Sequence, residues 1–166
     1  LFWVMIAIVL YTYIGYGLLL YLLVKLKRIF KKTTPAVNKV SYEPEVTLFI
    51  AAYNEKDYVA DKMKNTLGLD YPKDKLRIVW VTDGSDDGTP ELLKQYKEAI
   101  VLHENGRNGK IGAMNRGMKL VKTPIVIFSD ANTMLGKESI RRIVRLFETP
   151  TVGYVSCEKR ITDFST

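Results

Sequence analysis

Cysteine and histidine are nearly absent: Cys157 and His103 are the only ones in 166 residues. A single thiol cannot close an internal disulfide, and it lacks the partner ligands of a zinc site. Cys157 is expected to be a small buried apolar residue. His103 reads as a polar residue at a strand end rather than a catalytic base. Two nucleotide-binding patterns are missing as well. No Gly-x-Gly-x-x-Gly follows the first predicted strand, which argues against a nicotinamide dinucleotide, and no P-loop pattern occurs. There is no internal repeat and no low-complexity segment. Finally, charge is absent from the first 24 residues, Leu1 to Val24.

What is there begins with that uncharged stretch. At about 1.5 Å per residue it makes a helix of roughly 36 Å, enough to cross a bilayer with some tilt. A signal peptide would have a shorter apolar core and a small-residue cleavage site, which is missing. A buried core helix is the remaining alternative. Residues 1–24 are therefore read as a transmembrane helix. Lys25, Lys27, Arg28, Lys31 and Lys32 follow at once and supply five charges of the net +7. A basic chain invites a nucleic-acid partner, but this excess is a juxtamembrane tract rather than a stripe on a folded domain. Such a tract holds the cytoplasmic end of a membrane helix and attracts anionic lipid. The expected partner is a membrane, such as a bacterial inner membrane, with no nucleic acid and with the following domain cytoplasmic. Residues 25–45, with Pro35 and Pro44, read as a basic linker, and 46–166 as the folded domain. Because the chain does not begin with methionine, it is expected to be a piece of something longer.

From Val46 onward, strand and helix patterns alternate. Short apolar runs predict strands over Val46–Ile50, Leu76–Val81, Ala99–Leu102 and Ile125–Phe128, with a further strand over Val152–Ser156. Helices are predicted over Lys56–Leu67, Pro90–Lys97 with Thr89 as N-cap, Ile111–Val121 and Lys137–Phe147. Alternation of this kind implies βαβ units, an α/β fold with a mostly parallel sheet and helices on both faces. The run Ile125–Phe128 is nearly continuous in apolar residues and reads as a strand buried on both faces. In such sheets ligands bind outside the carboxyl ends of the strands. Three of the predicted ends carry chemistry.

The fourth predicted strand ends in Ser129-Asp130-Ala131-Asn132. Asp130 and Asn132 can offer oxygens to a hard cation, since Mg2+ or Mn2+ takes one or two protein ligands alongside phosphate oxygens and water. Asp and Asn are also common turn residues. The second strand ends in Thr82-Asp83-Gly84-Ser85. Asp83 can accept hydrogen bonds from a base or a ribose, or can simply form an Asx-turn. Asp86 and Asp87 suit a helix N-terminus. The first strand leads into Ala51-Ala52-Tyr53-Asn54-Glu55, where Tyr53 can stack on a base or merely line the sheet edge. Glu55 borders a nucleoside or begins a helix. Lys110 follows the loop Gly106-Arg107-Asn108-Gly109 and opens a helix; it suits a diphosphate, or belongs to a solvated basic loop.

Taken in order, four segments resemble family-2 glycosyltransferases of the GT-A fold, a Rossmann-like architecture. They are Ala51-Ala52-Tyr53-Asn54-Glu55, the run from Val81 to Thr89, the run from Gly109 to Gly117, and Phe128-Ser129-Asp130-Ala131-Asn132-Thr133. The resemblance covers about Val46 to Arg160. It implies that Tyr53 and Glu55 border a uridine, that Asp83 binds the base and that Lys110 helps hold the diphosphate. Asp130 becomes the first acid of a D-x-D motif that binds Mg2+ or Mn2+. Asn132 stands where that motif has its second acid. The family's carboxylate base and its Gln-x-x-Arg-Trp motif are not recognisable; Glu158 and Asp163 come too early, so the base is expected beyond Thr166. The implied activity is an inverting, metal-dependent transfer of sugar from a nucleotide-sugar, UDP-linked, to a growing polysaccharide or glycan. Two alternatives are transfer to a polyprenyl phosphate lipid and a non-catalytic nucleotide-binding scaffold.

Overall fold

The computed structural model describes residues 1–30 and 42–158, with side chains for 1–27 and 42–158. Lys31, Lys32, Pro35 and Asp163 lie outside the described residues. The chain falls into two compact units, Leu1–Lys39 and Val40–Thr166.

The first unit holds α1 (Phe2–Leu10), a π-helical turn (Tyr11–Gly15) and α2 (Tyr16–Phe30). Phe2–Lys27 is long and apolar enough to cross a membrane, with a mean hydropathy of 2.0. Within this unit most of its large side chains, from Phe2 to Leu26, are exposed, with Ile6 partly covered.

The second unit is built on four parallel strands in the order β3-β2-β1-β4: β1 (Val46–Ala52), β2 (Leu76–Asp83), β3 (Ala99–Glu104) and β4 (Ile125–Asp130). Each parallel pairing needs a crossover, and the crossovers carry α3 (Lys56–Leu67), α4 (Thr89–Leu93) and α5 (Gly109–Met118); α6 (Ser139–Leu146) follows β4. Period-two alternation sorts the strand residues between two faces. Leu48, Ile50, Trp80 and Ile127 point to one side, where Val59 and Met63 of α3, Leu93 of α4, and Ile140 and Val144 of α6 cover them. Phe49, Val79 and Val81 point to the other, against Ala113 of α5. The predicted α/β sheet with helices on both faces is the fold observed.

Gly117 lets α5 lie this close. A Cβ there would come within 2.5 Å of Phe49 and of Val81. Neither partner can retreat, because both are fully buried central-strand residues. Gly117→Val is expected to cost about 1–3 kcal/mol by overpacking, or more if α5 detaches, read as a lowered denaturation midpoint with unchanged m.

Several boundaries differ from the sequence reading. β4 is an edge strand among the described residues, and α5 packs over β1 and β2 rather than over it. Phe128 is consequently 49% exposed, so β4 is buried on one face only. Helix α4 is one short turn. Gly88, in the left-handed region, takes the N-cap position, and the Thr89 hydroxyl is engaged elsewhere. Residues 152–156 form no strand. Val152 N–H donates to Thr149 instead, and no described edge offers this segment a ladder. Cys157, in the same segment, is exposed rather than buried.

Candidate active site

All four strands end at the same edge, and register fixes the spacing of their tips. Ala51 is level with Val81 on one side and Asp130 on the other, while Asp83 pairs with Glu104. Asp83 thus stands two residues beyond the level of Asp130. Tyr53 and Glu55 follow directly from the end of β1.

The loops after β1 and β2 are latched together. Asn54 has a positive φ of 51°, which Asn tolerates better than most side chains. Its N–H donates to Ser85 Oγ at 3.1 Å, and its amide exchanges two hydrogen bonds with Asp86. Glu55 N–H donates to Thr89 Oγ1 at 3.1 Å. Asp87 accepts from Lys56 N–H and from Thr89 N–H, so one carboxylate caps the starts of both α3 and α4. Burial pushes the Asp87 carboxyl up, but the hydrogen bonds from Thr89 and Lys56 outweigh it and hold the group below its usual value. Of the two acids expected at a helix N-terminus, Asp87 is there, while Asp86 braces Asn54.

Asp83 is 4% exposed and is held on both oxygens. Asn108 N–H donates to Oδ2 at 2.7 Å, and Arg116 Nη1 donates to Oδ1 at 3.1 Å. Arg116, from α5, also pairs with Glu104 at the tip of β3 and donates to the Thr82 carbonyl at 3.0 Å. One guanidinium therefore ties together β2, β3 and α5. Sequence reasoning missed Arg116 and Glu104. The available signal was a lone cation beside Ala113 and Gly117, the buried residues of α5.

Tyr53 stays exposed, with the Arg107 guanidinium 4.1 Å from its ring centroid. His103 accepts or donates a 2.8 Å bond with Thr82 Oγ1 and contacts Asn105 through its other nitrogen. It is a braced strand-end residue, as its position suggested.

Lys110, at the start of α5, forms a 2.9 Å ion pair with Asp130. The pair lines a shallow pocket together with Phe49, Ala51, Met114, Phe128 and Ser129. The Glu55 carboxyl is raised above its usual value, first by burial and then by repulsion from Asp130 and Asp87. Lys62, wholly buried on α3, reaches the same loop from beneath through Ser129 and Thr133. The sequence reading passed over it as an ordinary helix residue.

The residues fit a hard divalent cation of one kind. Asp130 and Asn132 are both exposed and carry oxygen donors only. Among the described residues no group of three His, Cys, Asp or Glu side chains is gathered to cage an ion. This edge suits Mg2+ or Mn2+ shared with ligand phosphates, not an all-protein site.

Comparison with known proteins places the chain in a family. The profile described as "Glycosyl transferase family 2" matches residues 47–164. A beta-monoglucosyldiacylglycerol synthase of Nostoc sp. is 32% identical over 126 residues, 72% of this chain and 27% of that protein. A poly-beta-1,6-N-acetyl-D-glucosamine synthase of Staphylococcus aureus is 33% identical over 126 residues, 72% of this chain and 30% of that protein. The chain thus spans between a quarter and a third of the length of these relatives. Among solved structures, the mannosyltransferase PcManGT of Pyrobaculum calidifontis, in complex with GDP-Man and Mn2+, is 34% identical with a TM-score of 0.79, over 93% of this chain and 47% of that one. TarS of S. aureus with UDP-GlcNAc shares the fold at 21% identity and a TM-score of 0.57, over 63% of this chain and 31% of that one.

Proposed function

The chain belongs to glycosyl transferase family 2, and from that membership we propose that it is the donor-binding part of an inverting, metal-dependent glycosyltransferase. The donor is a nucleotide-sugar, UDP-linked, and the acceptor a growing polysaccharide or glycan. The observation that carries the reading is the meeting of Asp130 and Lys110 at the carboxyl edge of the sheet, a carboxylate and an ammonium 2.9 Å apart beside an open pocket. A phosphate entering there draws on Lys110 and on the N–H groups at the start of α5, and leaves the carboxylate to a cation.

Each residue then has a task. Tyr53 and Glu55 border the nucleoside. Asp83, fixed by Arg116 and Asn108, presents its remaining lone pairs to the base. Asp130 and Asn132 would hold Mg2+ or Mn2+, which when bound stabilises charge on the departing diphosphate. In an inverting transfer the acceptor hydroxyl gives its proton to a base and attacks the anomeric carbon while the bond to the diphosphate breaks. The described residues serve the leaving-group side of that step; none is assigned the base. Residues 1–24 cross the membrane in this reading, with the domain on the cytoplasmic side.

A guanosine donor is the second reading, favoured by the likeness to a mannosyltransferase crystallised with GDP-Man. A lipid acceptor is likewise favoured by the glucosyldiacylglycerol synthase. The chain in detergent, equilibrated with radiolabelled UDP-glucose, UDP-N-acetylglucosamine or GDP-mannose in turn, is expected to retain a UDP-sugar in the presence of Mn2+. Retention of GDP-mannose alone selects the guanosine reading. Retention of no donor by the folded chain contradicts the proposal.

A further inference from the structure

Lys62 is the least expected residue in the core. It is wholly inaccessible to solvent, in a helix whose other buried residues are Val59, Met63 and Thr66. Burying an ammonium is costly unless it finds acceptors. Lys62 finds two, and their positions matter. Its Nζ donates to Ser129 Oγ at 2.7 Å and to the Thr133 carbonyl. Ser129 immediately precedes Asp130, and Thr133 immediately follows Asn132. The ammonium therefore binds both ends of the segment that carries the two oxygen donors.

The neighbouring turn of α3 continues the pattern. Asn65, three residues along, donates Nδ2 to the Leu135 carbonyl at 2.8 Å and accepts from Leu135 N–H at 2.9 Å. The segment closes on itself through Thr133 N–H to the Asp130 carbonyl. Residues 129–135 are thus moulded on the polar side chains of α3, and α3 begins only four residues after β1, the strand that pairs with β4. Burial drives the Lys62 ammonium down to about 8, against an opposing pull from the Asp130 charge.

We infer that Lys62 is the positioning residue of the Asp130–Asn132 segment, the buried staple that sets the direction of its oxygen donors. The inference rests on the donor-site reading proposed above. Lys62 itself touches no ligand. It acts as an outer partner of the metal-binding oxygens, and loss of such partners typically costs about 10–100-fold in metal affinity.

Lys62→Met keeps the volume and removes the ammonium. The full chain in detergent is titrated with Mn2+ in the presence of UDP, and free Mn2+ is read by its paramagnetic resonance signal. UDP affinity without metal and the unfolding temperature are measured in parallel. The expected result is Mn2+ affinity weakened by about tenfold or more, with metal-free UDP affinity within about twofold of the unsubstituted chain. Ser129→Ala, which removes one acceptor and little volume, is expected to shift Mn2+ affinity in the same direction; it decides the matter if Lys62→Met does not fold. Unchanged Mn2+ affinity in the folded variants overturns the inference. So does a parallel loss of both affinities with the unfolding temperature, which marks a merely structural lysine. If the unsubstituted chain binds UDP without any response to Mn2+, the donor-site reading itself fails.

Discussion

Arg116→Met is expected to destabilise the domain by about 3–5 kcal/mol, the usual consequence of leaving a buried carboxylate without its cation. Asp83 is the carboxylate in question. It is buried to 4% exposure, and of its two oxygens one depends on Arg116 and the other on the Asn108 N–H. Glu104 loses the same partner, although it is exposed enough to hydrate. For a domain of this size the unfolding temperature should drop by on the order of 10 °C. The companion variant separates charge from packing. Asp83→Asn in the Arg116→Met background removes the orphaned charge, so the double variant should be more stable than Arg116→Met alone. A loss under about 1 kcal/mol for Arg116→Met would mean that water screens the pair as it does at an open surface. The same guanidinium bonds to the Thr82 carbonyl, so the variant also loosens the β2 tip on which Asp83 stands.

Much of this architecture was legible from the residues. Four short apolar runs correspond to four parallel strands; β1 and β2, central and buried on both faces, have little choice of composition, and β3 and β4, at the edges among the described residues, are apolar enough to read the same way. The tips were legible for the same reason, as polar residues break abruptly into those runs at Tyr53, Asp83 and Asp130. The failures share a cause too. Lys62 and Ser129 are 67 residues apart, and Arg116 and Asp83 are 33 apart. Nothing in local spacing says that such a pair will meet. A lysine in a helix is assigned to solvent by default, since unpaired it cannot be buried. Only its acceptors, supplied by a distant strand end, change that. The segment Val152–Ser156 failed in the opposite sense. Its residues suit a strand, but a strand is a relation to a neighbour, and none of the described edges receives it. Phe128 likewise has the composition of a two-sided core residue and sits on an edge strand that no described helix covers on that face.

The second large effect is expected at Asp130. Its carboxylate is half exposed and is already matched by Lys110, so replacing it by Ala should leave the fold intact. The site is another matter. Asp130 is the one charged oxygen ligand in the proposed pair, since Asn132 offers a neutral amide. Without it, the edge holds Lys110 and the start of α5, which attract a diphosphate but do not bind a cation. Metal-free UDP binding should then persist or tighten slightly, because Lys110 is released from its ion pair, while the gain from Mn2+ should vanish.

Calorimetric titration of UDP into the full chain in detergent, with and without Mn2+, and into the Asp130→Ala variant, tests this most directly. The account predicts that Mn2+ strengthens UDP binding at least about tenfold, or about 1.4 kcal/mol, and that Asp130→Ala abolishes that gain while its unfolding temperature stays within a few degrees. A folded Asp130→Ala variant that still responds to Mn2+ as the unsubstituted chain does would contradict it, and would move the metal away from the tip of β4.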